Sequence, residues 1–279
     1  MVSVCIAIGG LLLTLDWPGR VGEKVLEIAS VEPAAKEWPD DRTAAVEKRL
    51  PSFGSRQPDA AVHVLVWGDS HAKSIVPALA QWCEQQGKQG LIASYSATAP
   101  MLGFYRISSN GLNESGLAWS EAVLDTIREK RIPNTVLTAF WSKCPGSHVE
   151  EFEAAMLETV RRLSGDGTRV WILLDVPMQD FAVAKALAFH SMHPTLLRDP
   201  RRLAVTLKEH RQNNRVIKQL VPALAAAGAR VLDPSVQLFN PDGVSRIEVK
   251  GMPLFKDGNH LTRDGALDLY GLFAPAFGP

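Results

Sequence analysis

From residue 61 onward the chain alternates short apolar runs with segments of helical periodicity, and this rhythm restricts the fold more than any other feature. A Val-rich run at 62–66 precedes a helix at 72–86, where Ala72, Ile75, Val76, Leu79 and Trp82 fall on one face. A second strand is expected at 90–94, then a long Ser, Thr, Asn and Gly loop at 95–116, a helix at 117–129 and a third strand at 135–140. The pattern continues with a helix at 149–163, a strand at 169–175 and an irregular stretch at 176–200. A helix at 202–227, interrupted around Pro222, leads to a fifth strand at 230–232; a loop at 233–259 and a last helix at 262–273 complete it. Buried strands that alternate with helices form parallel sheets covered on both faces. The expected architecture is a three-layer α/β/α, doubly wound, mainly parallel five-stranded sheet, occupying 61–279.

The first sixty residues have a different character. Residues 1–15 carry no charge, and Asp16 ends the run. Such a run is short for a complete membrane span and lacks the basic start of a signal peptide. It reads either as the remnant of a membrane helix that begins upstream or as an apolar N-terminal helix. Gly9, Gly10 and the unbroken apolarity favour the first. Residues 16–60 are punctuated by Pro18, Pro33, Pro39, Pro51 and Pro58 among clustered charges, the mark of a linker or wrapping extension.

Composition excludes several functions. Of 279 residues 46% are apolar, enough for a sizeable core, and 30 basic residues cancel 30 acidic ones. No global field attracts nucleic acid or an anionic surface, and nucleic-acid partners are not expected. Cys5, Cys83 and Cys144 have no metal-ligand spacing. Neither do His148, His190, His193 and His210, which read as solvated, while His63 in the first strand reads as a satisfied, partly buried residue. There is no glycine-rich phosphate loop. No metal and no cofactor are expected.

The chemistry gathers at two stretches. The first strand stops at Gly68, Asp69, Ser70 and His71, and a helix follows at once. Ser70 therefore sits at a helix N-terminus, where backbone N–H groups and the positive end of the dipole stabilise a developing oxyanion, its own N–H being the natural first donor. An Asp-Ser pair is equally an ordinary N-cap signal. Far downstream, Asp257 and His260 stand three apart on a tight turn before the last helix. That spacing lets a carboxylate orient an imidazole whose other nitrogen faces outward, although Asp-Gly turns are common in their own right. In open parallel sheets, ligand sites lie beyond the carboxyl ends of the strands, and this rule gathers loops 68–71, 95–103, 141–146, 176–180 and 256–261 on one edge. Ser70 and His260 are thereby expected on the same side.

Gly68-Asp69-Ser70-His71, with Asp257, His260, Leu261, Thr262, Gly265 and Ala266, resembles the SGNH hydrolase superfamily, whose fold is flavodoxin-like. More narrowly, the chain resembles the SGNH domain fused behind the membrane acyltransferase-3 domain of bacterial polysaccharide O-acyltransferases. Trp17-Pro18-Gly19-Arg20, Pro100-Met101-Leu102-Gly103, Trp141-Ser142 and Val231-Leu232-Asp233-Pro234 add to the narrower likeness, which spans 17–279. The resemblance implies Ser70 as nucleophile, His260 as general base and then acid, and Asp257 as the group that orients it.

The chain also departs from the general SGNH pattern, which provides a Gly N–H and an Asn side chain as further oxyanion donors. Here the third strand ends in Trp141-Ser142, and the second loop reads Ser96-Ala97-Thr98-Ala99 with no Gly. The fused subfamily also tends to lack that Asn. Candidates for oxyanion or substrate binding are Asp69, Ala97, Trp141 and Ser142, with Trp141 equally readable as a core aromatic and His71 as structural or substrate-facing. The cysteine that relatives often carry in the second loop is absent.

The resemblance implies an O-acyltransferase, acetyl by expectation, acting on bacterial cell-surface carbohydrate hydroxyls through an acyl-serine. It would face the periplasm at the inner membrane, with a polysaccharide or glycolipid acceptor and an acyltransferase-3 domain, in cis or in trans, as acyl source. Two alternatives stay open: a free-standing SGNH carbohydrate esterase, and a catalytically inactive carbohydrate-binding module.

Overall fold

The computed structural model describes residues 21–196 and 198–278. The apolar run 1–15 and the Trp17–Arg20 junction lie outside them. Among the described residues, no helix is long and apolar enough to cross a membrane.

The described residues open with α1 (Glu23–Ser30) and the edge strand β1 (Ser52–Gly54), then β2 (Val62–Gly68), α2 (Ser70–Gln85) and β3 (Gln89–Ser94). Next come α3 (Ser115–Lys130), β4 (Asn134–Thr138), α4 (Val149–Gly165), β5 (Arg169–Leu173) and α5 (Val183–Met192). The C-terminal part holds α6 (Leu207–Asn213), α7 (Arg215–Ala226), β6 (Ala229–Leu232), α8 (Ser235–Leu238), the hairpin β7 (Glu248–Val249) and β8 (Met252–Pro253), α9 (Arg263–Asp268) and α10 (Tyr270–Phe277).

The main sheet runs β1-β3-β2-β4-β5-β6 and is parallel except for β1, which pairs antiparallel with β3. All five expected strands are present, and the expected count of five becomes six. The sixth strand comes from the stretch read as an extension. Its Phe53 ring lies over Gly90, where a Cβ would meet the ring at 2.2 Å. An isolated three-residue run has no hydrophobic period to announce it; its pairing depends on the edge that β3 presents.

Period-two burial divides the apolar residues between two cores. Val64 and Val66 of β2, Val136 of β4, and Trp171 and Leu173 of β5 pack with α2, α5 and α10 on one face. Leu65 and Trp67, Leu137, and Val170 and Ile172 pack with α3, α4 and α7 on the other. Both faces are covered, which is why the strands read as near-continuous apolar runs.

The expected helix at 202–227 divides at Asn214 instead of Pro222, which sits inside α7. A capping box between Thr206 and Glu209 starts α6, and at the break the Asn214 side-chain amide donates to the His210 carbonyl at 2.9 Å. The irregular stretch 176–200 contains α5, and the expected C-terminal helix is split into α9 and α10.

After β2 the chain forms β3 on one side and later β4 on the other. The connection therefore reverses direction at β2, and the crevice at its carboxyl end is where such sheets place ligands.

Candidate active site

The turn that carries Ser70 is tightly held. Gly68 closes β2 against β4 so closely that a Cβ there would lie 1.7 Å from the Thr138 carbonyl oxygen. Asp69, extended and 4% exposed, caps α2. Its Oδ1 accepts from the His71 N–H at 2.8 Å, and its Oδ2 accepts from the Phe140 N–H at 3.0 Å. One carboxylate thus starts the helix and ties it to the end of β4. Asp69, expected among the oxyanion or substrate groups, has both oxygens engaged in holding the turn.

The second stretch arrives from the far end of the chain. Lys256 N–H donates to the His260 carbonyl at 2.9 Å, and Phe255 bridges Leu261, closing the loop on itself. Gln179 N–H donates to Gly258 O at 2.7 Å and Val183 N–H to Asp257 O at 3.3 Å, docking the loop on the segment after β5. Only glycine fits this contact, since a Cβ at 258 would meet the Gln179 carbonyl oxygen at 2.5 Å. Thr262 caps α9 by accepting from the Gly265 N–H at 3.1 Å.

These constraints bring Ser70, His260 and Asp257 into one line. His260 Nε2 lies 2.9 Å from Ser70 Oγ, and His260 Nδ1 lies 2.9 Å from Asp257 Oδ2. The other carboxylate oxygen of Asp257 accepts from the Asn259 and His260 N–H groups, both at 2.9 Å. Burial alone would raise the Asp257 carboxyl. The hydrogen bonds from the His260 ring and from those two N–H groups outweigh it and hold the group well below the usual carboxylate range. An ionised carboxylate accepts only, so the His260 proton resides on Nδ1 and Nε2 is left to accept from the Ser70 hydroxyl.

The proposed oxyanion donors fare differently. The N–H of Trp141 donates to Asp175 Oδ1 at 2.7 Å and that of Ser142 to Asp175 Oδ2 at 2.9 Å. Both are therefore engaged away from an oxyanion. The Trp141 indole N–H donates to Leu173 O at 2.7 Å, and its ring is wholly buried, which decides for the core aromatic. Ala97 adopts a left-handed φ of +52°. Among the described residues, the Ser70 and Ala97 N–H groups donate to no protein acceptor. The register pairs Gly68 with Ser94, and Tyr95 N–H donates to Gly68 O at 3.2 Å, so the Ala97 turn leaves the sheet beside Ser70.

Asp175 is a group that sequence reading passed over. It is 3% exposed, and burial pushes its carboxyl up to about 7, against the Ser142 and Trp141 N–H groups that lower it. A lone acid after the apolar run 170–174, at the carboxyl end of a strand, was the available signal. Lys73 and Asp40, a further ion pair beside the nucleophile helix, left no local signal at all.

The remaining histidines separate by burial. The His71 ring stacks on Phe140 at 4.8 Å and lies 5.5 Å from the His260 ring. Burial pushes it down to about 4, so it is neutral at pH 7. His210, expected in solvent, is 1% exposed beneath Phe239 and is likewise pushed down to about 4, by burial first. His63, expected to be satisfied, has a buried Nε2 without a hydrogen-bond partner. Among the described residues, no three His, Cys, Asp or Glu side chains converge as metal ligands.

Comparison with known proteins bears on the family and the fold. A family model described as "SGNH domain (fused to AT3 domains)" matches residues 36–275. No curated protein sequence matches the chain. Among solved structures, the periplasmic domain of a lipopolysaccharide acetyltransferase from Salmonella ser. Paratyphi A is similar in fold, with a TM-score of 0.60 and 16% identity, covering 88% of this chain and 97% of that one. A putative acylhydrolase from Bacteroides fragilis is also similar, with a TM-score of 0.50 and 12% identity, covering 86% of this chain and 98% of that one.

Proposed function

The chain belongs to the family of SGNH domains that occur fused to AT3 domains, and from that membership we propose that it is a serine O-acyltransferase, transferring acyl groups, acetyl first among them, to carbohydrate hydroxyls of the bacterial cell surface. The observation that carries the reading is the hydrogen-bonded line from Ser70 through His260 to Asp257. A purely carbohydrate-binding module has no need of an oriented imidazole on a helix-terminal serine.

The steps follow from the geometry. His260 Nε2 takes the Ser70 proton as Oγ attacks the acyl carbonyl carbon, and the carbonyl electron pair moves onto oxygen. Asp257 holds the imidazole in the required tautomer and stabilises the imidazolium that forms. The Ser70 N–H at the start of α2 is the first donor to the oxyanion. Collapse expels the donor's leaving group, which takes the proton from His260, and an acyl-serine remains. An acceptor hydroxyl then gives its proton to His260 as it attacks the ester carbonyl, and collapse of that second tetrahedral intermediate expels Ser70 Oγ, which takes the proton back from His260.

Transfer is favoured over hydrolysis by the family's fusion to AT3 domains and by the lipopolysaccharide acetyltransferase whose periplasmic domain shares the fold. On this reading the domain works on the periplasmic side of the inner membrane, receives its acyl group from an acyltransferase-3 domain, in cis or in trans, and delivers it to a polysaccharide or glycolipid. The acylhydrolase of similar fold supports a second reading, an esterase with the same residues and water as acceptor.

The deciding experiment follows an aryl acetate with and without an oligosaccharide acceptor, using the wild-type protein and Ser70→Ala. Serine-dependent acetylation of the sugar supports transfer, and serine-dependent release of acetate alone supports the esterase. Equal rates for both proteins would remove the acyl-serine from consideration.

A further inference from the structure

The stretch 29–42, which precedes the sheet, is laid across the elements that carry the site. Lys256 Nζ donates to Ala29 O at 3.3 Å, Pro33 bridges Thr262, and Ala34 N–H donates to Leu261 O at 2.9 Å. The strap thus flanks the His260 loop. Farther along, Arg42 lies 5.4 Å over the Tyr95 ring.

Between these contacts stands Asp40. Lys73, one turn beyond Ser70 on α2, is 4% exposed and makes its ion pair with Asp40 at 2.5 Å. A buried ammonium without a partner is costly, so the pair pins the Asp40 carboxylate against α2. The same Oδ1 accepts from the Ser96 N–H at 2.9 Å. On the other side of that turn, Thr98 N–H donates to Tyr95 O at 3.2 Å, and Thr98 Oγ1 donates to Ser96 O at 3.2 Å. Ala97 is caught between them in its left-handed conformation. A non-glycine residue keeps that conformation only where its surroundings over-determine it, and here the result is an N–H with no protein acceptor beside the nucleophile turn.

We propose that Asp40 is a positioning residue for acyl transfer: by accepting from the Ser96 N–H it holds the 95–97 turn so that the Ala97 N–H acts with the Ser70 N–H as the second oxyanion donor. This rests on the acyl-serine reading above. The strap is then part of the catalytic apparatus, since its carboxylate holds the turn whose Ala97 N–H stands in for the Gly N–H of the general SGNH pattern.

The test compares two double variants, Asp40→Asn with Lys73→Met and Asp40→Ala with Lys73→Met. Both remove the ion pair and leave no buried ammonium unpaired, and only the first keeps an oxygen that can accept from Ser96. In aryl acetate hydrolysis, the alanine pair is expected to lose about tenfold or more in kcat relative to the asparagine pair, with KM and Tm the same in both. Amide exchange at Ser96 and Ala97 should rise in the alanine pair alone. Equal kcat in the two pairs would overturn the proposal, as would a loss of exchange protection spread evenly over the domain. Ser70→Ala, measured in parallel, separates the two levels. Activity that survives it removes the acyl-serine itself; activity lost there, with no difference between the pairs, removes only the role of Asp40.

Discussion

Ser70 Oγ and His260 Nε2 lie 2.9 Å apart, although 190 residues separate them in sequence. The contact depends on two anchored loops, one capped by Asp69 and one docked through Gly258. Each can be disturbed on its own.

Ser70→Ala leaves the fold intact and removes the attacking atom. Hydrolysis of an aryl acetate should fall by about a thousandfold or more, and mass spectrometry of the quenched reaction should show an acetyl adduct on the wild-type Ser70 peptide only. An adduct of equal yield in the variant would refute the assignment.

Asp257→Asn is close to isosteric and keeps an oxygen for the Asn259 and His260 N–H groups. It replaces the acceptor for His260 Nδ1–H, so the ring is no longer held in the tautomer that leaves Nε2 unprotonated. The expected result is a loss in kcat of about a thousandfold or more with KM little changed. A normal kcat would mean that Asp257 is structural.

The pH dependence separates two carboxylates. Asp257, held well below the usual range, stays ionised wherever the protein works. Its folded-state pKa is depressed, so its contribution to stability is present above the unfolded value and is lost as pH falls through the folded one. Asp175 has the opposite sign. Its folded pKa is raised to about 7, so the folded state binds its proton more tightly than the unfolded state does. The stability this confers is complete below the unfolded carboxylate value and is lost as pH rises to about 7. Asp175→Asn should therefore flatten that part of the Tm-against-pH curve while the shape of the kcat-against-pH curve is unchanged. A kcat profile that shifts in Asp175→Asn would assign its limb to Asp175.

Asp69→Ala removes the cap of α2 and leaves the Phe140 N–H unpaired. A cost of about 2 kcal/mol or more is expected from urea unfolding, together with a fall in kcat as the Ser70 turn loses its tie to β4. Asp69→Asn keeps one oxygen and should lie between wild type and alanine. A stable, fully active alanine variant would contradict the clamp.

Gly68→Ala puts a methyl group where the Thr138 carbonyl oxygen stands at 1.7 Å from the built Cβ position. Backbone must move against backbone, and the expected destabilisation is about 3 kcal/mol or more. Gly87→Ala, with no atom within 4 Å of its built Cβ but a φ of +62°, is the control for backbone strain alone. A Gly68 variant no less stable than that control would show that β2 and β4 separate easily.

Much of this architecture was legible because its causes are local. The alternation of Val64 and Val66 with Leu65 and Trp67 tells the two faces of β2 apart before any partner is known, and the abrupt stop at Gly68-Asp69-Ser70 marks strand, cap and helix in consecutive residues. Asp257 and His260 are three apart, so their contact is a property of one turn. Edge strand β1, the capture of the Trp141 and Ser142 N–H groups by Asp175, and the pairing of Lys73 with Asp40 have no such local cause. Each joins segments whose spacing follows no helical or strand period. The sequence by itself determined the layers, the faces and the chemistry-bearing turns, since dihedral preference and side-chain period act within a few residues. Only the tertiary structure decided which backbone N–H groups remain free beside Ser70, since that depends on which distant carboxylates packing brings within hydrogen-bond reach.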